Sequence, residues 1–222
     1  MDNWREIPIY VIDFEGCPRT GVIEYGVVEL RDGEIESCHT RLCAPQGSID
    51  EREARLHGIR QQDTDGCTPF SDEWEQFRSW RSAGVFGAHH ALIEHGLLKR
   101  HWCYPSNSPD YLRGGEIVDW GPWIDTRRLY ENVYPGLETY QLMSLVDNFG
   151  MQSELDCMVD RFCPEGRRRA HCALYDALAS VVLLVRLCKE PGYEEVSIKW
   201  LLEHSLSSAE KKQAARQGDL FE

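Results

Sequence analysis

The chain has 222 residues, 42% of them hydrophobic, and carries 37 acidic against 24 basic side chains, a formal net charge of −13. That length supports one domain with a sizeable core and a small appendage, while the charge argues against a protein that tracks a long duplex on a basic stripe. The longest apolar run, Ala177 to Val185 with only Ser180 interrupting, is far below the roughly 20 residues of a membrane span, so no membrane partner is expected. The charged start Met1 to Glu6 lacks a signal-peptide profile, and nine cysteines without a Cys-x-x-Cys pair read as reduced thiols of a cytoplasmic protein.

In chain order, residues 7–13, 22–30 and 34–43 read as three strands, with Arg31-Asp32-Gly33 as a hairpin turn between the second and third. Residues 50–60 and 71–82 read as helices, the latter with Ser71 as N-cap. Val85 to Ala88 is a short strand running into a helix that ends near His101, and 103–123 is a long loop with a short strand near Ile117. Helices are expected over Asp125–Tyr134, Thr139–Asn148 and Ala170–Leu187, the last with apolar residues at 170, 173, 174, 177, 178, 181, 182 and 185. Pro191-Gly192 punctuates the chain, so 1–192 is expected as the main domain and 193–222 as a charged helical extension. Strands first, then alternating helices and short strands, indicate an α/β fold with a mixed sheet.

Three segments carry chemistry. In Pro8-Ile9-Tyr10-Val11-Ile12-Asp13-Phe14-Glu15-Gly16, a buried strand would point Asp13 and Glu15 to one face. Two carboxylates that close repel each other and suit Mg²⁺ or Mn²⁺; taken alone, the pair fits equally a strand ending in a solvated acidic loop. In His171-Cys172-Ala173-Leu174-Tyr175-Asp176, five residues on a helix rotate by about 140°. His171 therefore belongs in the entry loop and Asp176 one turn into the helix. Gly87-Ala88-His89-His90-Ala91-Leu92-Ile93-Glu94 is a strand end leading into a helix that carries an acid.

These segments, in this order, resemble the three motifs of the DEDDh-type, DnaQ-like 3′→5′ exonucleases, the group that includes proofreading epsilon subunits. The resemblance covers about residues 6–190. Leu56-His57-Gly58-Ile59 is similar to the family's substrate-side loop, and Asp125-Thr126, Arg128-Leu129, Tyr140 and Leu142 to the helices before its last motif. It implies a ribonuclease H-like fold, with a central mixed five-stranded sheet flanked by helices. It also implies two-metal phosphodiester hydrolysis with two Mg²⁺ or Mn²⁺. Asp13, Glu15 and Asp176 match the metal ligands and His171 the general base. Glu94 stands where the family usually has aspartate, and His90 where it usually has asparagine. Substrate contact is then expected from Phe14, Gly16, Leu56, His57, Ile59, His90 and Arg169, with Arg167 to Arg169 near the upstream phosphates.

The implied product is a nucleoside 5′-monophosphate released from single-stranded or frayed 3′ ends. DNA is favoured over RNA, and repair or replication is the expected setting. Two rivals stay open: an exoribonuclease trimming short RNA, and a non-catalytic clamp- or nucleic-acid-binding module. The chain ends Gln217-Gly218-Asp219-Leu220-Phe221-Glu222. This resembles the peptides with which bacterial polymerases and repair proteins dock on the sliding clamp, so Gln217, Asp219, Leu220 and Phe221 are candidate clamp contacts; Leu220 and Phe221 folding back on their own domain is the alternative.

Overall fold

The computed structural model describes residues 3–207. Its first three strands, β1 (Ile9–Cys17), β2 (Gly21–Arg31) and β3 (Glu34–Leu42), form an antiparallel meander. The helices α1 (Glu51–His57) and α2 (Trp74–Ala83) lead to β4 (Val85–Ala88), which returns parallel to β1. After α3 (Leu92–His101) and a small hairpin of β5 (Ser108–Pro109) and β6 (Glu116–Ile117), β7 (Trp123–Asp125) pairs parallel with β4. The main sheet is thus mixed and five-stranded, in the order β3-β2-β1-β4-β7. Four helices follow: α4 (Thr126–Val133), α5 (Leu142–Asn148), α6 (Gln152–Phe162) and α7 (Ala173–Lys189), with α8 (Ile198–Ser205) after them.

Alternation along β1 sorts the core into two layers. Ile9 and Val11 face a large cluster that includes eleven buried residues of α7. Tyr10, Ile12 and Phe14 face an aromatic cluster with Phe70, Phe77, Trp80, Phe86 and Trp120. Burying a helix on nearly all sides requires an apolar surface wider than one stripe, and the run Ala177–Val185 supplies it.

Several boundaries differ from the sequence reading. Helix α1 ends at His57 because Gly58, at φ +76°, turns left-handed as its C-cap. Ser71 lies within a 3-10 turn, Phe70–Glu73, and does not cap α2, which begins at Trp74. Helices α5 and α7 start three residues later than expected, at Leu142 and Ala173. Helix α6 was not expected, although Leu155, Met158, Val159 and Phe162 follow helical spacing onto the core. Within 193–207 the helix covers Ile198–Ser205, and Ile198, Leu201 and Leu202 enter the main core. No helix among the described residues is long and apolar enough to cross a membrane. The candidate clamp contacts Gln217, Asp219, Leu220 and Phe221 lie outside the described residues.

Candidate active site

The site forms at the C-terminal end of β1. Strand parity puts Asp13 opposite Gly26 and Glu15 opposite Glu24 across the β1–β2 pair, all on the α7 face. The register then shifts at a bulge between Glu15 and Gly16, a device that ends regular pairing and re-aims side chains. Gly16 is required there. Its φ is +137°, and a Cβ would lie 2.1 Å from the Gly21 carbonyl oxygen.

Asp176 reaches this face because α7 comes unusually close to β2. A Cβ on Gly26 would stand 2.3 Å from the Leu174 nitrogen and 2.4 Å from the Ala173 carbonyl carbon, so only glycine admits the first turn of the helix. His171 precedes that turn in a left-handed conformation, φ +60°, and its backbone N–H donates to Asp176 Oδ2 at 3.1 Å. The imidazole stays exposed while Glu15 and Asp176 are buried. Ligand atoms of Glu15, His171 and Asp176 all lie within 4.8 Å of one another.

Glu94, in the first turn of α3, is buried beside them. The turn leading into α3 is fixed by Asp125, which caps α4 through the Arg128 N–H at 3.2 Å. The Asp125 carboxylate also accepts the N–H groups of His90 (3.1 Å) and Ala91 (3.0 Å). His90 takes φ +70°, a left-handed conformation uncommon for residues other than glycine. Asp125 is thus a positioning residue that the sequence reading placed only as the start of a helix.

The acids crowd one another. Burial first, then the charges of Glu94, Asp176, Glu15 and Glu24, raise Asp13 well above the carboxylate range, even though Asp13 keeps some exposure to the cleft. Burial, then Asp176 and Glu24, push Glu15 up to about 8, while Arg167 and Arg169 act against the rise. Burial raises Glu94 well above its usual range, with Glu15 and Asp176 adding to it and the Phe14 N–H opposing. Burial also brings Asp176 to about 7, against the His171 N–H. Glu94 Oε2 and Asp176 Oδ1 are buried without a hydrogen-bond partner among the described residues. Orphaned carboxylate oxygens among mutually repelling acids fit a hard divalent cation, which would satisfy them and remove the repulsion.

The residues expected at the substrate are less uniformly placed. Phe14 points to the opposite face of the sheet, against Phe70 and Phe77, so only its backbone borders the site. His57 and Ile59 are buried and Leu56 is 51% exposed. His57 Nδ1 accepts the Ile59 N–H at 3.0 Å, which turns the ring inward. His90 is half-buried at the entry to α3, and Arg169 is exposed beside Leu56 and Gly58. Arg167 does not stand free for phosphates. Its Nε donates to Glu24 Oε1 at 2.8 Å, Nη2 pairs with the same carboxylate, and Nη1 donates to the His57 carbonyl at 2.6 Å. Arg168 pairs with Asp160 at 2.9 Å.

Glu24 and Gly26 went unremarked in the sequence. Their signal was a lone acid and a glycine inside the otherwise apolar Val22–Val28 stretch, where a buried strand should carry neither without a reason.

Comparison with known proteins identifies the family and the fold. The RNase_T profile, described as Exonuclease, matches residues 11–184. The DNA polymerase III PolC-type of Thermotoga petrophila is 26% identical over 202 residues, covering 88% of this chain and 13% of that polymerase. That of Clostridium perfringens is 25% identical over 138 residues, 60% of this chain and 8% of the polymerase. The chain therefore spans only a small part of these relatives. Among solved structures, Exonuclease X in complex with 5′-overhanging duplex DNA has a TM-score of 0.61 at 20% identity, covering 87% of this chain and 99% of that one. The nuclease domain of 3′hExo, a DEDDh family member bound to rAMP, has a TM-score of 0.62 at 19% identity, covering 87% and 96%. With the profile spanning most of the domain, the chain belongs to the RNase_T family of exonucleases, and its structural neighbours include a DEDDh nuclease domain.

Proposed function

We propose that this chain hydrolyses phosphodiester bonds from the 3′ end of single-stranded or frayed DNA and releases nucleoside 5′-monophosphates. The observation that carries the reading is the convergence of Asp13, Glu15, Glu94 and Asp176 beneath the exposed ring of His171. Asp13, Glu15 and Asp176 would hold two Mg²⁺ or Mn²⁺, with Glu94 completing the set. When bound, such ions supply activation of the attacking water and stabilisation of charge on the departing 3′ oxygen. The protein's own part is positional. The bulge at Gly16 and the close approach at Gly26 fix the carboxylates, and the Asp176 carboxylate holds the backbone of His171. An imidazole nitrogen of His171, open to the cleft, takes the proton of the attacking water as general base.

Leu56 and Arg169 are the exposed side chains offered to the substrate, one apolar for stacking against a terminal base and one cationic for an upstream phosphate. The acidic body with this small basic mouth favours short or unpaired ends over long duplex. The nine thiols, all free, are in keeping with a cytoplasmic setting. A second reading, trimming of short RNA, is favoured by the neighbour bound to rAMP, as DNA is by Exonuclease X. Matched 5′-labelled DNA and RNA oligonucleotides of one sequence decide it: faster shortening of DNA is expected, and faster shortening of RNA would transfer the assignment. The C-terminal Gln217, Asp219, Leu220 and Phe221 are proposed to dock on a sliding clamp. Deleting 217–222 should then abolish clamp capture and leave hydrolysis of free oligonucleotides unchanged; retained capture would refute the docking.

A further inference from the structure

The catalytic turn is strapped to the sheet by a pair that no motif contains. Glu24 is 3% exposed and directly opposite Glu15. Its carboxylate accepts Arg167 Nε at 2.8 Å, pairs with Arg167 Nη2, and accepts the Ala173 N–H at 2.9 Å. Ala173 opens α7, whose N-cap residue Cys172 provides no side-chain cap. Glu24 therefore supplies from the sheet the acceptor that a capping side chain would normally give. Arg167 is half-buried and spends its remaining edge on the His57 carbonyl at 2.6 Å. One guanidinium thus joins β2, the end of α1 and the segment that carries His171.

We propose that Glu24 and Arg167 form a buried clamp that positions the His171–Asp176 turn, together with the end of α1 at Leu56–Gly58, over Asp13 and Glu15. They act through other residues and touch neither metal nor scissile bond. This rests on the exonuclease reading for its consequence in catalysis, but the geometry it describes exists without substrate. The clamp reassigns Arg167 from the phosphate contact expected of the basic run 167–169. It also explains a costly feature, since a buried acid facing three others is tolerated only if a partner and a hydrogen-bond donor satisfy it.

The sign of one measurement separates positioning from charge. Arg167→Ala removes a cation near Glu15 and leaves Glu24 unpaired. If the pair acts through charge alone, a divalent ion then binds more tightly. If it positions Asp176 and His171, the ion binds more weakly despite the gain in negative charge. Titration of the full chain with Mn²⁺ alone is the test. Arg167→Ala and Arg167→Lys are expected to weaken Mn²⁺ at least tenfold and about threefold, with Arg168→Ala unchanged. Unchanged or tighter binding by Arg167→Ala overturns the clamp. A second readout is kcat for a short 5′-labelled oligonucleotide. It should fall at least thirtyfold in Arg167→Ala with KM within threefold, and recover in part with added methylguanidinium. A KM defect without a kcat defect would return Arg167 to phosphate binding. If the wild-type chain binds Mn²⁺ but cleaves nothing, the exonuclease reading fails while the titration still decides the clamp.

Discussion

Replacing Gly26 with alanine perturbs the site without touching a carboxylate. The added Cβ would stand 2.3–2.4 Å from the Leu174 nitrogen and Cα and the Ala173 carbonyl carbon, all backbone atoms, against the 3.4 Å at which ordinary contact begins. The first turn of α7 must therefore retreat by about 1 Å, carrying His171 and Asp176 with it. Overpacking of this kind costs about 1–3 kcal/mol, roughly a 2–12 °C fall in melting temperature for a domain of this size. A misplacement of about 1 Å at a catalytic group costs on the order of a hundredfold in rate. The expected result is a folded protein whose kcat falls about a hundredfold and whose Mn²⁺ affinity drops. Gly87→Ala in β4 is the control, because its Cβ would meet Ile124 and Ile9 at an ordinary 3.5–3.6 Å and should change kcat less than threefold. Circular dichroism melting, Mn²⁺ titration and single-turnover cleavage report on all three quantities. Wild-type cleavage and metal affinity in Gly26→Ala would refute the claim that this close approach builds the site.

Three further outcomes are expected. Asp176→Asn should abolish cleavage, by about a thousandfold or more, while raising the melting temperature of the metal-free protein at pH 8, because it removes one of several repelling buried charges; a lower melting temperature would show that the carboxylate is structural. Stability of the metal-free fold should fall as pH rises. Glu15 and Asp176 titrate near 8 and 7 in the folded chain against about 4 when unfolded, so the folded state binds more protons through that window. Their contribution is fully present below about pH 4 and is lost progressively as pH passes 8. Mn²⁺ should restore it most at pH 8, as read from denaturant midpoints with and without the ion. Glu94→Gln, which keeps size and removes charge, should lower kcat about a hundredfold with the fold intact in circular dichroism; wild-type turnover would remove Glu94 from the ligand set.

Much of this architecture was legible because its signals are local. The alternation of β1, the Asp32-Gly33 turn and the apolar breadth of α7 each follow from a single short window, and the α/β class with a mixed sheet follows from their order; the count of five strands was implied by the family resemblance. What the sequence concealed depends on contacts between distant segments. Glu24 and Gly26 matter only because α7 lies against β2, more than 140 residues later in the chain. Phe14 is a different case, since the local alternation that unites Asp13 and Glu15 itself sends the residue between them to the other core. Arg167 looked like a phosphate contact because its neighbours are basic, yet its partner is a buried acid in β2. The departures at His90 and Glu94 were visible as residue types. The fixing of His90 by Asp125 was not, since it needs β4 and β7 to be adjacent.

The most direct test of the central claim is cleavage of 5′-labelled single-stranded DNA with Mg²⁺, Mn²⁺ or EDTA, run beside Asp13→Ala. A ladder that shortens from the 3′ end, requires the divalent ion and vanishes in Asp13→Ala is the predicted result. No cleavage with either ion, or cleavage that survives Asp13→Ala, would contradict it.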